Sequence, residues 1–103
     1  MTSTPPVVGQ DVVYTMVALD PDDLPANPVG VRFKVKTPSG TVSTYVYGVD
    51  DNVSETIAGQ TYTCTFDASE AGRWFVRSEM LDGTGNVVGA IEDVMLVTAS
   101  GVI

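Results

Sequence analysis

The chain has no histidine, a single cysteine and only five lysine and arginine residues. Without histidine it lacks the usual general base near neutral pH and the commonest protein ligand of transition metals. A Ser-His-Asp or Cys-His catalytic arrangement is therefore excluded. Because Cys64 stands alone, no internal disulfide can form, and the fold depends on its core. We expect no enzymatic activity and no cofactor.

The scarcity of positive charge also limits the classes of partner. Thirteen Asp and Glu residues oppose the five cations, which leaves a net charge of -8. Phosphate backbones and anionic lipid surfaces attract net cations, so we expect neither nucleic-acid nor membrane partners. No apolar run approaches the ~18 residues of a membrane-spanning helix. The segment MTSTPPVVGQ lacks the basic and apolar regions of a signal peptide, so we expect synthesis in the cytoplasm.

The apolar pattern has a period of two residues along most of the chain, which indicates β-strands. Strands are predicted at residues 11–19, 29–37, 41–47, 53–57, 60–66, 73–81 and 87–98. The last of these is expected to contain a bulge or bend near Gly89. Seven short strands separated by turn-forming residues predict an all-β fold, a single immunoglobulin-like antiparallel β-sandwich. Residues 1–10 are predicted to form an extended arm, residues 11–98 the sandwich and residues 99–103 a short tail.

One face of each predicted strand supplies a candidate core. Each large apolar side chain contributes roughly 1.5–3 kcal/mol when it is buried. The candidate core residues are Val13 or Tyr14, Val17, Val31, Phe33, Val35, Val42, Val46, Tyr62, Cys64, Phe66, Trp74, Val76 and Met80.

The positive charges occupy alternate positions on two predicted strands. In the stretch VRFKVKT, Arg32, Lys34 and Lys36 alternate with apolar residues, and Arg73 and Arg77 do the same later in the chain. Alternate residues of a strand point to the same side of the sheet. If the two strands share a sheet, all five cations of the chain lie on one outward face.

Aromatic residues are expected on the same face. Phe75 has the parity of Arg73 and Arg77, and Tyr45 and Tyr47 point outward if Val42 and Val46 point inward. Arg and aromatic residues are enriched at the centres of protein interfaces. The candidate partner-binding residues are Arg32, Lys34, Lys36, Arg73, Arg77, Tyr45, Tyr47 and Phe75. An alternative is that Glu55, Glu79 and Glu92 pair with these cations inside the molecule.

Acidic loops offer weak candidates for a calcium site. Asp20 and Asp22 lie on one predicted loop, and Asp50 and Asp51 lie on another. Calcium requires six to eight oxygen ligands, and neither loop has the spacing of an EF-hand. Asp is also a common turn residue, so we favour a role in turns and expect no metal.

Three segments resemble a known family. They are the strand and turn at 31–41, the YVYG segment at 45–48 and the segment at 59–74 that ends in DASEAGRW. Together with their order they resemble the small immunoglobulin-like structural proteins of tailed bacteriophages. The resemblance covers residues 9–98 and rests mainly on turn and core positions.

The resemblance implies a non-enzymatic virion structural protein. We expect such a chain to decorate or cement the capsid through the major capsid protein or another virion protein, with a homo-oligomer in the particle as a further possibility. One alternative is an accessory protein of the tail or of the head–tail junction. Another is an immunoglobulin-like module that binds host-surface carbohydrate through exposed tyrosines and acidic loops.

Overall fold

The computed structural model describes residues 6–99 as two antiparallel β-sheets that pack face to face. The seven strands are β1 (Asp11–Val17), β2 (Gly30–Lys36), β3 (Val42–Val46), β4 (Val53–Ile57), β5 (Thr61–Asp67), β6 (Gly72–Leu81) and β7 (Val87–Val97). The all-β prediction is confirmed. Residues 1–5 of the predicted arm and residues 100–103 of the predicted tail lie outside the described residues. Residues 6–99 contain no helix that could cross a membrane.

The sheet order is that of an immunoglobulin-type sandwich. One sheet has the order β1-β5-β4, and the other has the order β3-β2-β6-β7. In immunoglobulin notation these are strands B, E and D facing strands C′, C, F and G. In the described part of the chain, the position of the first strand, A, holds an isolated parallel bridge between Val7 and Thr98 at the end of β7.

The core lies between the two sheets and is built from alternate residues of the strands. Its buried apolar residues are Met16, Ala18, Val31, Phe33, Val35, Val53, Tyr62, Cys64, Phe66, Ala68, Trp74, Val76 and Val97. The alternation predicted for β2, β5 and β6 is confirmed, because their apolar parity faces the core. Tyr14 and Met80 are partly buried and pack against it.

Three predicted core residues are wrong. Val17 of β1 is exposed, because β1 turns its other parity, including Met16, toward the core. For the same reason Tyr14, and not Val13, is the inward member of the two predicted alternatives.

In β3, Val42 is exposed, and Val46, which shares its parity, lies opposite Arg32 and outside the core cluster. In both strands, each of the two sets of alternate residues contains apolar or aromatic side chains that could be buried. The pairing with the neighbouring strand therefore decides which set faces the core.

The entrance to β6 is held by a side-chain hydrogen bond. Trp74 is buried, its ring stacks on Phe66 at a centroid distance of 5.7 Å, and its Nε1 donates to the carbonyl of Glu70 at 2.9 Å. The tyrosine corner of immunoglobulin domains ties the start of the same strand back to the chain upstream. In this chain a tryptophan makes the equivalent connection.

The predicted irregularity in the last strand is confirmed. Met80 lies opposite Gly89 and Leu81 lies opposite Val87, so Val88 is left without a partner. Such a bulge adds local twist and separates the hairpin from the rest of β7. From Ala90 to Val97 the strand pairs with β6 without interruption.

Candidate functional site: the outer face of the four-stranded sheet

The register of β2 against β6 places all five cations on one surface. Lys34 lies opposite Arg77, and Lys36 lies opposite Phe75. Directly opposite residues of an antiparallel pair point to the same side of the sheet. Arg32 and Arg73 share this parity, while the intervening Val31, Val35, Trp74 and Val76 are buried in the core. We call this surface the outer face.

Part of the outer face is an ion-pair cluster consisting of Arg32, Lys34, Arg77, Glu79 and Glu92. The two carboxylate oxygens of Glu79 accept from Arg32 Nε at 2.6 Å and from Arg77 Nε at 2.8 Å. Lys34 Nζ lies 3.9 Å from the same carboxylate, and Arg77 Nη1 lies 3.0 Å from Glu92. The alternative of intramolecular pairing therefore holds for three of the five cations.

Glu79 is the centre of the cluster. Its side chain is only 3 % exposed although it belongs to the outer face. Burial would raise its pKa, but hydrogen bonds from Arg77 and Arg32 and the charges of Arg32 and Lys34 outweigh burial. The pKa of Glu79 therefore lies below its ordinary value of 4.5. Hydrogen bonds to Glu79 and Glu92 raise the pKa of Arg77 in turn.

The other part of the outer face is an apolar–cationic patch. Val42, Lys36, Phe75 and Val94 form one row across the four strands, and Arg73 and Leu96 form a pair in the next row. Val42, Phe75, Val94 and Leu96 are 57, 46, 60 and 58 % exposed. Lys36 Nζ lies 6.0 Å from the centroid of the Phe75 ring, at the outer limit of a cation–π contact.

The patch borders a cleft of about 540 Å³. Val42, Phe75 and Val94 line it together with Lys34, Lys36 and Glu92. Neither Lys36 nor Arg73 makes an ion pair with any residue in the range 6–99. The patch thus combines exposed apolar surface with two positive charges that the described part of the chain does not neutralise.

The predicted orientation of the two tyrosines is wrong. Tyr45 lies opposite the buried Phe33 and packs against the core. The Tyr47 ring meets the buried Tyr62 edge to face at a centroid distance of 5.4 Å, although Tyr47 remains partly exposed. The turn between β2 and β3 explains the error. It closes with Thr37 N donating to Thr41 O, which sets Lys36 opposite Val42 and turns Val42 outward.

Sequence reasoning missed Val42, Val94 and Leu96 as surface residues. The four residues of the TPSG turn do not identify Val42, because a four-residue connection would set Lys36 opposite Thr41 and turn Val42 inward; the observed pairing of Lys36 with Val42 includes Thr41 in the connection. Val94 and Leu96 lie in a nearly continuous apolar run that shows no clear alternation. Their outward parity follows only from the pairing of β7 with β6.

The candidate calcium ligands are engaged in turns. Asp20 Oδ1 accepts the backbone N–H groups of Asp22 and Leu24 at 2.9 and 3.0 Å. Asp50 Oδ2 accepts the N–H of Val46 at 2.7 Å. Asp51 is exposed in the same turn as Asp50. Residues 6–99 contain no cluster of three or more acidic, Cys or His side chains arranged to hold a metal ion.

Comparisons with protein-family models, with curated proteins and with solved structures return no match for this chain. The resemblance to phage structural proteins therefore stays a prediction from the sequence.

Proposed function

We propose that this chain is a non-enzymatic structural protein of a tailed-phage virion that docks onto the major capsid protein through the apolar–cationic patch. The observation that supports docking is the exposed row formed by Val42, Phe75 and Val94, which lies beside two cations that make no ion pair with residues 6–99. Contiguous apolar surface on a small domain marks an interaction site more often than isolated exposed residues do.

The chemistry of the patch favours a protein partner. Phe75 and the neighbouring aliphatic side chains would supply buried anchors, and Lys36 and Arg73 would pair with carboxylates at the rim of the interface. Two cations beside apolar side chains are too few to hold a polyanion against a net charge of -8. The expected complementary surface is therefore apolar with Asp or Glu at its edge.

The ion-pair cluster plays a different part in this proposal. Its side chains already have partners within the chain, so they gain little from new ion pairs. Arg32, Arg77 and Glu79 instead hold the middle of the sheet in one arrangement beside the patch. A rigid surface loses less conformational entropy on binding than a mobile one.

The virion assignment rests on the resemblance of residues 31–41, 45–48 and 59–74. A site at the tail or at the head–tail junction would use the same patch. The carbohydrate-binding alternative has less support, because it relied on Tyr45 and Tyr47 as neighbouring exposed aromatics. Tyr45 packs against the core, and Tyr47 contacts Tyr62.

The test is cosedimentation of the purified chain with empty heads of the phage that encodes it. We expect saturable binding, and we expect Phe75→Glu or the pair Lys36→Glu and Arg73→Glu to weaken it by at least about tenfold, or about 1.4 kcal/mol. The matched control is Val13→Glu, which changes an exposed valine on the opposite sheet and should bind normally. A chain that stays in the supernatant at saturating concentration would overturn the proposal.

A further inference from the structure

β7 is an edge strand, and its backbone points to an additional binding site. Among the strands that the structure describes, β7 pairs with β6 alone. At the end of the strand, Val8 N donates to Thr98 O at 3.1 Å, and Thr98 N donates to Pro6 O at 2.9 Å. The polar groups of Thr98 therefore point away from β6.

The direction of the backbone groups alternates along a strand. The N–H and C=O groups of Ala90, Glu92, Val94 and Leu96 consequently point away from β6 as well. The register gives the same result on the far side of the sheet. If the even-numbered residues of β7 point away from β6, the alternation carried through β6 and β2 makes the backbone groups of Val31 point toward β3. Tyr47 N does donate to Val31 O on that side. No residue in the described range hydrogen-bonds to these four residues from the open side.

Among the described residues, the N-terminal arm pairs with β7 only at Thr98. In a parallel ladder the next bond would run from the N–H of residue 6 to the carbonyl of Leu96. Residue 6 is proline, which has no N–H to donate. Within residues 6–99 the ladder that starts at Thr98 therefore ends at Pro6, and no described residue pairs with the edge from Ala90 to Leu96.

This edge has few of the features that normally prevent strand pairing. Proteins protect edges with charged residues, above all lysine, and with proline, bulges or short strands. Of these, the edge from Ala90 to Val97 has only the two carboxylates Glu92 and Asp93. β3 is only five residues long, and β4 has an irregular register between Glu55 and Ile57. From Ala90 to Val97, β7 contains no lysine, proline or bulge. Ile91, Val94 and Leu96 are exposed along it.

We propose that the β7 edge binds an extended segment of a partner protein as an added strand. Immunoglobulin-type sandwiches carry a first strand, of which the described residues 6–99 contain only the bridge at Val7. Strand addition would fill that position, with backbone hydrogen bonds providing affinity and alternate side chains providing specificity. The added segment would place apolar residues beside Val94 and Leu96.

Charge distinguishes between the possible occupants of the edge. β7 carries Glu92 and Asp93 and no cation. A second copy would bring the same two carboxylates to the interface, and each chain has a net charge of -8. Like charges directly opposite each other destabilise a strand pair. The partner segment is therefore expected to carry Lys or Arg opposite Glu92.

The test uses a synthetic eight-residue peptide that alternates valine with threonine and carries one central lysine. Amide hydrogen exchange, measured by NMR, reports each backbone N–H separately. We expect saturating peptide to slow exchange at Glu92, Val94 and Leu96 by at least about tenfold. Exchange at Ile91, Asp93 and Met95, whose N–H groups face β6, should change little. The control peptide has the same sequence with N-methylated alternate amides and should give no protection.

Two proline variants test whether the peptide binds at the β7 edge or at the edge formed by β1. Val94→Pro removes an N–H that points into the open side, where proline is tolerated, and should abolish protection at Glu92 and Leu96. Val13→Pro makes the matched change on β1, an edge strand of the other sheet. Ala18 N donates to Gln60 O, so the backbone N–H groups of the even-numbered residues of β1 face β5 and those of the odd-numbered residues, including Val13, face away from it. Peptide binding to that variant should be unchanged.

Several results would overturn the strand-addition proposal. They are the absence of protection at the solubility limit of the peptide, equal protection by the N-methylated peptide, and slow exchange of the outward amides before peptide is added. Protection that rises with protein concentration alone would identify a second copy as the occupant and would also overturn it. The peptide experiment involves no capsid, so its outcome is independent of the docking test.

Discussion

At the scale of single residues, the least expected feature is Glu79. A carboxylate on the outward parity of a strand is normally solvated, yet Glu79 is buried beneath Arg32, Lys34 and Arg77. Buried charge costs stability unless it is paired and hydrogen-bonded. Both carboxylate oxygens of Glu79 accept bonds from guanidinium groups, so the cost is offset at this site.

The Glu79→Gln variant tests this view of the ion-pair cluster. It keeps the shape of the side chain but removes the charge that two arginines contact, and it should lower the free energy of unfolding by about 1–3 kcal/mol. Urea denaturation at pH 7 gives the value. The control is Glu92→Gln, because Glu92 is largely exposed and, within residues 6–99, pairs with Arg77 alone. That change should stay within about 0.5 kcal/mol.

The same variant makes a prediction about pH. The pKa of Glu79 is lower in the folded chain than its ordinary value of 4.5, so the unfolded chain takes up the proton first as the pH falls. The stabilisation is therefore complete above pH 4.5 and is lost as the pH falls through the folded-state pKa. The difference between the original chain and Glu79→Gln should shrink over this range. A difference that is constant from pH 7 to pH 3 would contradict the assignment.

At the scale of elements, the turns connect the strands into a sandwich. The β4–β5 turn depends on Gly59, whose φ is +67°. Its N–H donates to Glu55 Oε2 at 3.0 Å, and its carbonyl accepts from Asn27 N at 2.9 Å. These bonds attach the turn to the loop between β1 and β2, so one glycine joins two connections of the fold.

Gly59→Ala should destabilise the chain by about 1–2 kcal/mol, because a left-handed backbone conformation is costly for alanine. A Cβ at this position would also overlap the side-chain oxygen of Asn27. Thermal unfolding would show the loss as a lower midpoint temperature. The matched change Gly83→Ala lies in another turn, where the Cβ meets open space and φ is not left-handed. An equal loss in both variants would refute the role assigned to Gly59.

At the scale of the whole molecule, the fold encloses its only thiol between the sheets. Cys64 is fully buried on β5, between the neighbouring strands β1 and β4. Burial, followed by the charge of Asp50, raises the pKa of Cys64 to about 11. The reactive thiolate is therefore scarce at neutral pH, and reagents reach the sulfur only when the sandwich opens.

Cys64 consequently reports global unfolding. An aromatic disulfide reagent should leave the folded chain unlabelled at pH 7 to 9 and should label one thiol per chain in saturating urea. The labelling rate in intermediate urea should follow the unfolded fraction measured by tryptophan fluorescence. Rapid labelling without urea would show that β5 opens locally, contrary to its central place in the three-stranded sheet.

Much of the fold could be predicted from the period of the apolar residues. β2 alternates strictly between apolar and charged residues, so its core and surface faces were both identified correctly. β1 and β3 could not be oriented in this way. Each has apolar or aromatic residues in both parities, and hydrophobicity alone does not distinguish Val13 from Tyr14 or Val42 from Tyr45. A shift of one residue reverses every side chain of a strand, so the neighbouring strand decides.

The sequence by itself determined the number of strands, the sandwich class and the common outward parity of the cations within each strand, because period-two patterns are local properties of the chain. That β2 and β6 share one sheet, which puts all five cations on one face, is a property of the tertiary structure. Only the tertiary structure decided which cations are paired. Arg32 and Arg77 meet at Glu79 because β2 and β6 lie in one register, whereas Lys36 and Arg73 lie beside apolar residues contributed by β3 and β7. The composition of a surface depends on contacts between distant segments, and these contacts exist only after the sheets have formed.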